Sequence, residues 1–149
     1  MKVLTIQSLE LSINAKTYAD PTKCNHPNAL EVYKRLFNDY NQKKKTNYNS
    51  FFWGFSKLLT DNLEDAIERA CGMIGMDFTK EWKVLVLDIP DELCLETDFY
   101  NFSDEIYAHQ YPDELESYWD YIYEKRESER QVIFPYIDPK WIVQEITME

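Results

Sequence analysis

Few side chains in this 149-residue chain have the types and spacing that chemistry needs. Its two histidines, His26 and His109, and its three cysteines, Cys24, Cys71 and Cys94, are widely dispersed. No CxxC knuckle or HExxH helix occurs, so a zinc site would need distant ligands to converge, and no metal is expected. With only Gly54, Gly72 and Gly75, the chain cannot assemble a glycine-rich phosphate cradle, and it lacks the GxSxG elbow of a hydrolase. Cys24 lies two residues from His26, but a thiol and a base at that spacing in a loop share no fixed geometry, and the thiol reads as a bystander. Glu127 and Glu129 flank Ser128 and have the spacing of paired carboxylates for acid–base work. Their neighbours Lys125, Arg126 and Arg130 make a solvated, salt-bridged helix end the plainer alternative.

These residues need a scaffold, and the hydrophobic pattern supplies one. Val3, Leu4 and Ile6 suit an opening strand over residues 2–7, and a turn-prone stretch follows at 18–22. Leu30, Val32, Tyr33, Leu36, Phe37 and Tyr40 recur with helical spacing. The run from Ser50 to Leu59, with Phe51, Phe52, Trp53 and Phe55 around Gly54, reads as a short aromatic strand or a core plug. Thr60 and Asp61 can cap a helix from Leu63 to about Met73, because acids fill its first turn and Gly72 and Gly75 mark its end. Trp82 to Pro90 is the clearest strand, apolar enough to be buried on both faces. Leu115, Tyr118, Trp119 and Ile122 predict a helix from about Pro112 to Lys125. Gln131–Ile137 and Trp141–Ile146 flank Asp138, Pro139 and Lys140 and read as two strands joined by a tight turn or short loop. The expected fold is α+β: one compact domain with a mixed or antiparallel sheet and about three helices.

Composition bounds the function. There are 27 acidic and 16 basic residues, for a net charge of −11, and 44% of the chain is hydrophobic, enough for a real core. The charge is uneven: residues 77–129 hold 16 acids and 4 bases, a net of −12, while the rest is nearly neutral. Such a field opposes direct nucleic-acid binding, and the one lysine cluster, at 43–45, sits in a polar loop. No apolar stretch is long enough for a membrane span, and the first residues do not have the pattern of a secretory signal. The odd, scattered cysteines fit a reducing cytoplasm.

The tail from Glu129 to Val143, ERQVIFPYIDPKWIV, resembles the closing part of ADP-ribosyltransferase-like domains, in which a Glu or Gln, one spacer and a catalytic Glu lie beside an apolar strand. In the register set by Val132–Pro135, the first position is Glu129 and the catalytic position holds Gln131. Glutamine keeps a hydrogen bond to a ribose but not the charge, a departure that puts turnover in doubt. The opening strand, with Thr5, Gln7 and Ser8, and the segment Phe51–Ala70, a strand ending in Ser56 before a helix, are similar in order. The family usually offers His or Arg where Gln7 stands. The resemblance implies a pocket that binds NAD or a related nucleotide, with Phe52, Trp53 or Phe55 stacked on the nicotinamide, Gln7, Ser8 and Ser56 hydrogen-bonding it, and Glu129 with Gln131 addressing the ribose and the acceptor.

A second expectation comes from another class: an acidic, non-enzymatic interaction protein, such as a phage or host-defence inhibitor, whose segment 77–129, of net −12, docks on the basic surface of a protein partner. The first expectation predicts nucleotide binding that Gln7→Ala weakens, and the second predicts salt-sensitive protein binding that tolerates this change.

Overall fold

The computed structural model describes residues 1–9, 27–75, 77–110, 119–125 and 127–148. Six strands, β1 (Lys2–Ser8), β2 (Phe52–Lys57), β3 (Trp82–Asp88), β4 (Leu95–Asp98), β5 (Arg130–Phe134) and β6 (Ile142–Thr147), form one sheet in the spatial order β4, β5, β2, β1, β3, β6. Every neighbouring pair is antiparallel. Three helices, α1 (Pro27–Lys44), α2 (Leu63–Ile74) and α3 (Phe99–Gln110), complete an α+β domain.

Side chains alternate across a strand, so the sheet has two distinct faces. Leu4, Ile6, Phe51, Trp53, Phe55, Val84 and Ile133 face the helices and pack with Val32, Leu36, Phe37 and Tyr40 of α1, Ala66, Ala70 and Cys71 of α2, and Phe102 of α3. Phe51 anchors this layer, its ring centroid 4.7 Å from that of Phe37 and 4.8 Å from that of Tyr40. On the opposite face Val3, Phe52, Leu85, Leu87, Val132 and Phe134 form a second cluster, closed by loop residues Ile89, Cys94, Ile137 and Trp141. The two central strands approach closely at Gly54, where an added Cβ would lie 2.7 Å from Val3 Cγ1 and 2.8 Å from the Leu4 carbonyl oxygen. Glycine is the residue that fits there.

Local chemistry sets the helix ends. α1 closes with Lys43 and Lys44 in its last turn, where positive charge complements the dipole, and Lys45 adopts a left-handed φ of 55°. α2 is capped by Asn62, one residue beyond the expected pair: its side chain accepts the Asp65 amide at 3.1 Å. Gly75 ends the helix with φ 73°.

Three expectations need correction. The tight-turn alternative for the last two strands does not hold: β5 and β6 are joined by residues 135–141, but β2, β1 and β3 lie between them. Residues 135–141 span the roughly 19 Å that four strand spacings require, a distance within reach of seven extended residues. The crossing seats Ile137 and Trp141 on the face that carries no helix. Residues 119–125 are not an α-helix: Trp119–Tyr121 make a single tight turn. The Ile122 carbonyl accepts the Asp98 amide at 2.7 Å and the Tyr121 carbonyl accepts Asn101 Nδ2 at 2.8 Å, so these acceptors serve other elements. The rest of that predicted helix, the turn expected at 18–22 and the Cys24–His26 pair lie outside the described residues. Finally, β4 and α3 occupy a segment for which neither was expected. Asp98 accepts the Asn101 amide at 2.9 Å, and Phe102 anchors α3 in the core.

Candidate docking groove

The residues expected to form a nucleotide pocket are brought together only in part: Trp53, Phe55, Glu129 and Gln131 share the helix-covered face, and Phe55 and Ser56 border one cavity, while Gln7 is turned to the other face. Trp53 and Phe55 are 4% and 2% exposed on the helix-covered face, their rings in edge contact at 4.5 Å. Gln7 lies on the other face, where its Nε2 donates to Thr5 Oγ1 at 2.8 Å and that hydroxyl donates to the Trp53 carbonyl at 2.6 Å. Ser8 is exposed at the end of β1. Ser56 sits at an irregularity in the pairing of β2 with β5, and its hydroxyl donates to Glu96 at 2.6 Å, a carboxylate that also accepts Arg130 Nε at 3.2 Å.

Glu129 and Gln131 share the helix-covered face of β5 and are both buried. Glu129 Oε1 accepts Nε of Arg69 at 2.5 Å and is paired with the second guanidinium nitrogen, while Oε2 accepts the Leu59 amide at 2.7 Å. The hydrogen bond and the charge of Glu129 raise the pKa of Arg69 above its ordinary value. This carboxylate therefore ties α2 and the turn before it to β5. Gln131 Oε1 accepts Trp53 Nε1 at 2.8 Å. Glu127, the other carboxylate of the pair, is exposed and bridges Lys57 at 3.3 Å.

A different place in the fold is open. α2 lies against the sheet through the small side chains Ala66 and Ala70, and its next stripe, Glu64, Ile67, Glu68, Cys71 and Gly72, borders a groove of about 500 Å³. The spacing of three, one, three and one places these five positions on one helix face. Phe78 and Ile146 of β6 complete the apolar floor, and Asp77 joins Glu64 and Glu68 at the rim. Among the described residues, no basic side chain lines the groove. A second cavity, of about 340 Å³, continues along α2 toward Asn62, above Leu4, Val86 and Gln144, and carries mixed charge from Lys2, Lys57 and Asp61. Burial and, secondarily, the charge of Asp77 raise the Cys71 thiol above its ordinary value, so this cysteine is a neutral wall of the groove and not a nucleophile at neutral pH.

The pattern Glu64, Ile67, Glu68, Cys71 was legible as one helical stripe. Sequence reasoning did not single out this stripe, whose signal is its helical spacing, and it placed the docking charge in the segment of net −12, outside which the acids of α2 fall. Among the described residues, no group of His, Cys, Asp and Glu is placed to hold a metal ion, and no helix is long and apolar enough to cross a membrane. Compared with known proteins, the chain matches no family model, no curated protein and no solved structure.

Proposed function

We propose that the chain is an acidic, non-enzymatic interaction protein that docks on a basic protein partner through the groove between α2 and β6. The observation that carries this reading is the lining itself: an apolar floor of Ile67, Cys71, Phe78 and Ile146 within a rim of Glu64, Glu68 and Asp77. An apolar side chain seated on the floor supplies area, and lysine or arginine beside it meets the carboxylates. The acidic surface speeds the encounter and selects the partner.

An ADP-ribosyltransferase-like domain that binds NAD is the competing proposal. Two features weigh against it: Gln7 and the Trp53–Phe55 pair lie on opposite faces of the sheet, and Arg69 occupies the Glu129 carboxylate. The bond from Trp53 to Gln131 and the cavity beside Phe55 and Ser56 weigh for it. The test is comparative capture from lysate at low and high salt, using the wild type and the surface variant Glu64→Gln/Glu68→Gln/Asp77→Asn, together with calorimetric titration of NAD. Partners retained by the wild type at low salt, lost at high salt and lost by the variant are expected, with no NAD heat up to millimolar concentration. Equal capture by the two proteins would overturn the groove, and saturable NAD binding weakened by Gln7→Ala would favour the nucleotide proposal.

A further inference from the structure

The groove opens beside a sheet edge. β6 ends the strand order, and its pattern of half-buried and exposed positions leaves Val143 68% exposed and Gln144 and Glu145 exposed. Among the described residues it pairs with β3 alone. Edges are commonly guarded by charged residues, proline, bulges or a covering element, and β6 contains neither lysine nor proline. Its guards are Glu145, which alternates away from the Ile146 face, and an irregularity between Ile142 and Gln144, so that Gln144–Thr147 remains a regular edge. Ile146 of this same strand is part of the groove floor.

We infer that the partner of this chain enters as an extended segment that adds a seventh strand to the outer edge of β6. The inference rests on the groove reading above and specifies how it is used. A strand added about 4.8 Å beyond β6 places alternate side chains on the face covered by α2. The central one of these lies beside Ile146 and enters the space toward Phe78 and Ile67. Those two residues before and two residues after it reach the carboxylates of Glu64, Glu68 and Asp77. The segment this site takes therefore has a basic, apolar, basic pattern at every second position. A second copy of this chain is a poor occupant, because each chain carries a net charge of −11 and pairing two β6 edges sets acidic rim against acidic rim.

The experiment uses the full chain and a blocked peptide with the core Lys-Thr-Val-Thr-Lys, with Glu-Thr-Val-Thr-Glu as the control. Affinity is read by fluorescence anisotropy of the labelled peptide, and backbone exchange is read by nuclear magnetic resonance. The expected result is salt-sensitive binding of the basic peptide alone, weakened roughly tenfold by Glu64→Gln/Glu68→Gln/Asp77→Asn. Binding should also slow exchange at alternate amides of Ile142–Thr147 by about tenfold or more, since only the outward-facing half acquires a new partner. Peptide binding that the triple variant weakens, with protection at α2 and none along β6, would overturn strand addition and leave the groove reading standing. Binding indifferent to the triple variant, or no binding, would overturn both. Protection of β6 that grows with protein concentration without peptide would identify a second copy as the occupant and overturn the inference.

Discussion

Replacing Glu129 with glutamine separates a structural carboxylate from a catalytic one. The wild-type carboxylate is fully buried and accepts from Arg69 and from the Leu59 amide, so both oxygens are committed. Glutamine keeps a single acceptor oxygen, and its NH2 group must face donors of either Arg69 or Leu59. One charge-assisted hydrogen bond is lost and a donor is left against a donor, which costs about 2–3 kcal/mol. For a chain of 149 residues the unfolding entropy is about 0.3 kcal/mol per kelvin, so Glu129→Gln should lower Tm by about 8 °C. Calorimetry, with urea unfolding followed by the fluorescence of the four tryptophans, measures both quantities. Lys57→Gln serves as the control, since it breaks only the bridge to the fully exposed Glu127 and should leave Tm within about 2 °C of the wild type. A Glu129→Gln protein as stable as the wild type would refute the reasoning, because it would show the carboxylate to be free of the fold and available for chemistry.

Two further outcomes follow from the packing. Gly54→Ala places a methyl group against the β1 backbone, which cannot retreat without disturbing its pairing with β3, and should cost about 1–3 kcal/mol in urea unfolding. Stability should also fall as pH rises above about 9. Burial pushes the Cys94 thiol up to about 11 and raises the phenols of Tyr40 and Tyr123 beyond their ordinary range, so the folded chain holds protons that the unfolded chain releases. These contributions are complete below the unfolded pKa values and decline as pH climbs toward the folded ones. Cys94 alone accounts for about 2 kcal/mol between pH 9 and 11. Urea midpoints measured from pH 7 to 11 check the sign, and a rising midpoint would contradict it.

Much of the scaffold was legible because local signals agreed with the fold. The apolar run of β3 is buried between β1 and β6, and the apolar stripe of α1 meets Phe51. α2 begins and ends where its acids and Gly75 indicate. The errors arose where long-range contacts decide. Asp138 accepts the Lys140 amide at 3.0 Å, the local chemistry behind the tight-turn alternative, yet Ile137 and Trp141 gain more by crossing the sheet to cover its second face. Phe99, Phe102 and Ile106 of α3 do have helical spacing, and the acidic, aromatic composition around them masked it. Pairing the acids with a site was harder still. Spacing in the sequence marks Glu127 and Glu129 alike, whereas burial sends one to solvent and the other into contact with Arg69.

That contact bears on the groove. Arg69 lies within the same helix as Glu64 and Glu68, so the bond to Glu129 holds α2 from the β5 side and leaves its other flank open along β6. Besides Ala66 and Ala70, Leu63, Ile67, Met73 and Ile74 pack α2 against the core, and the flank toward β6 is lined by Ile67, Phe78 and Ile146. The ion pair on the far side of the helix thus adds a polar tie to this packing. Glu129→Gln, measured well below its Tm, should accelerate amide exchange in α2 more than in β1 or β3, and should weaken the basic peptide although Glu129 never touches it. An unchanged affinity beside a lowered Tm would mean that the sheet and the α2 backbone hold the groove open without Arg69. In that case the strap serves stability alone.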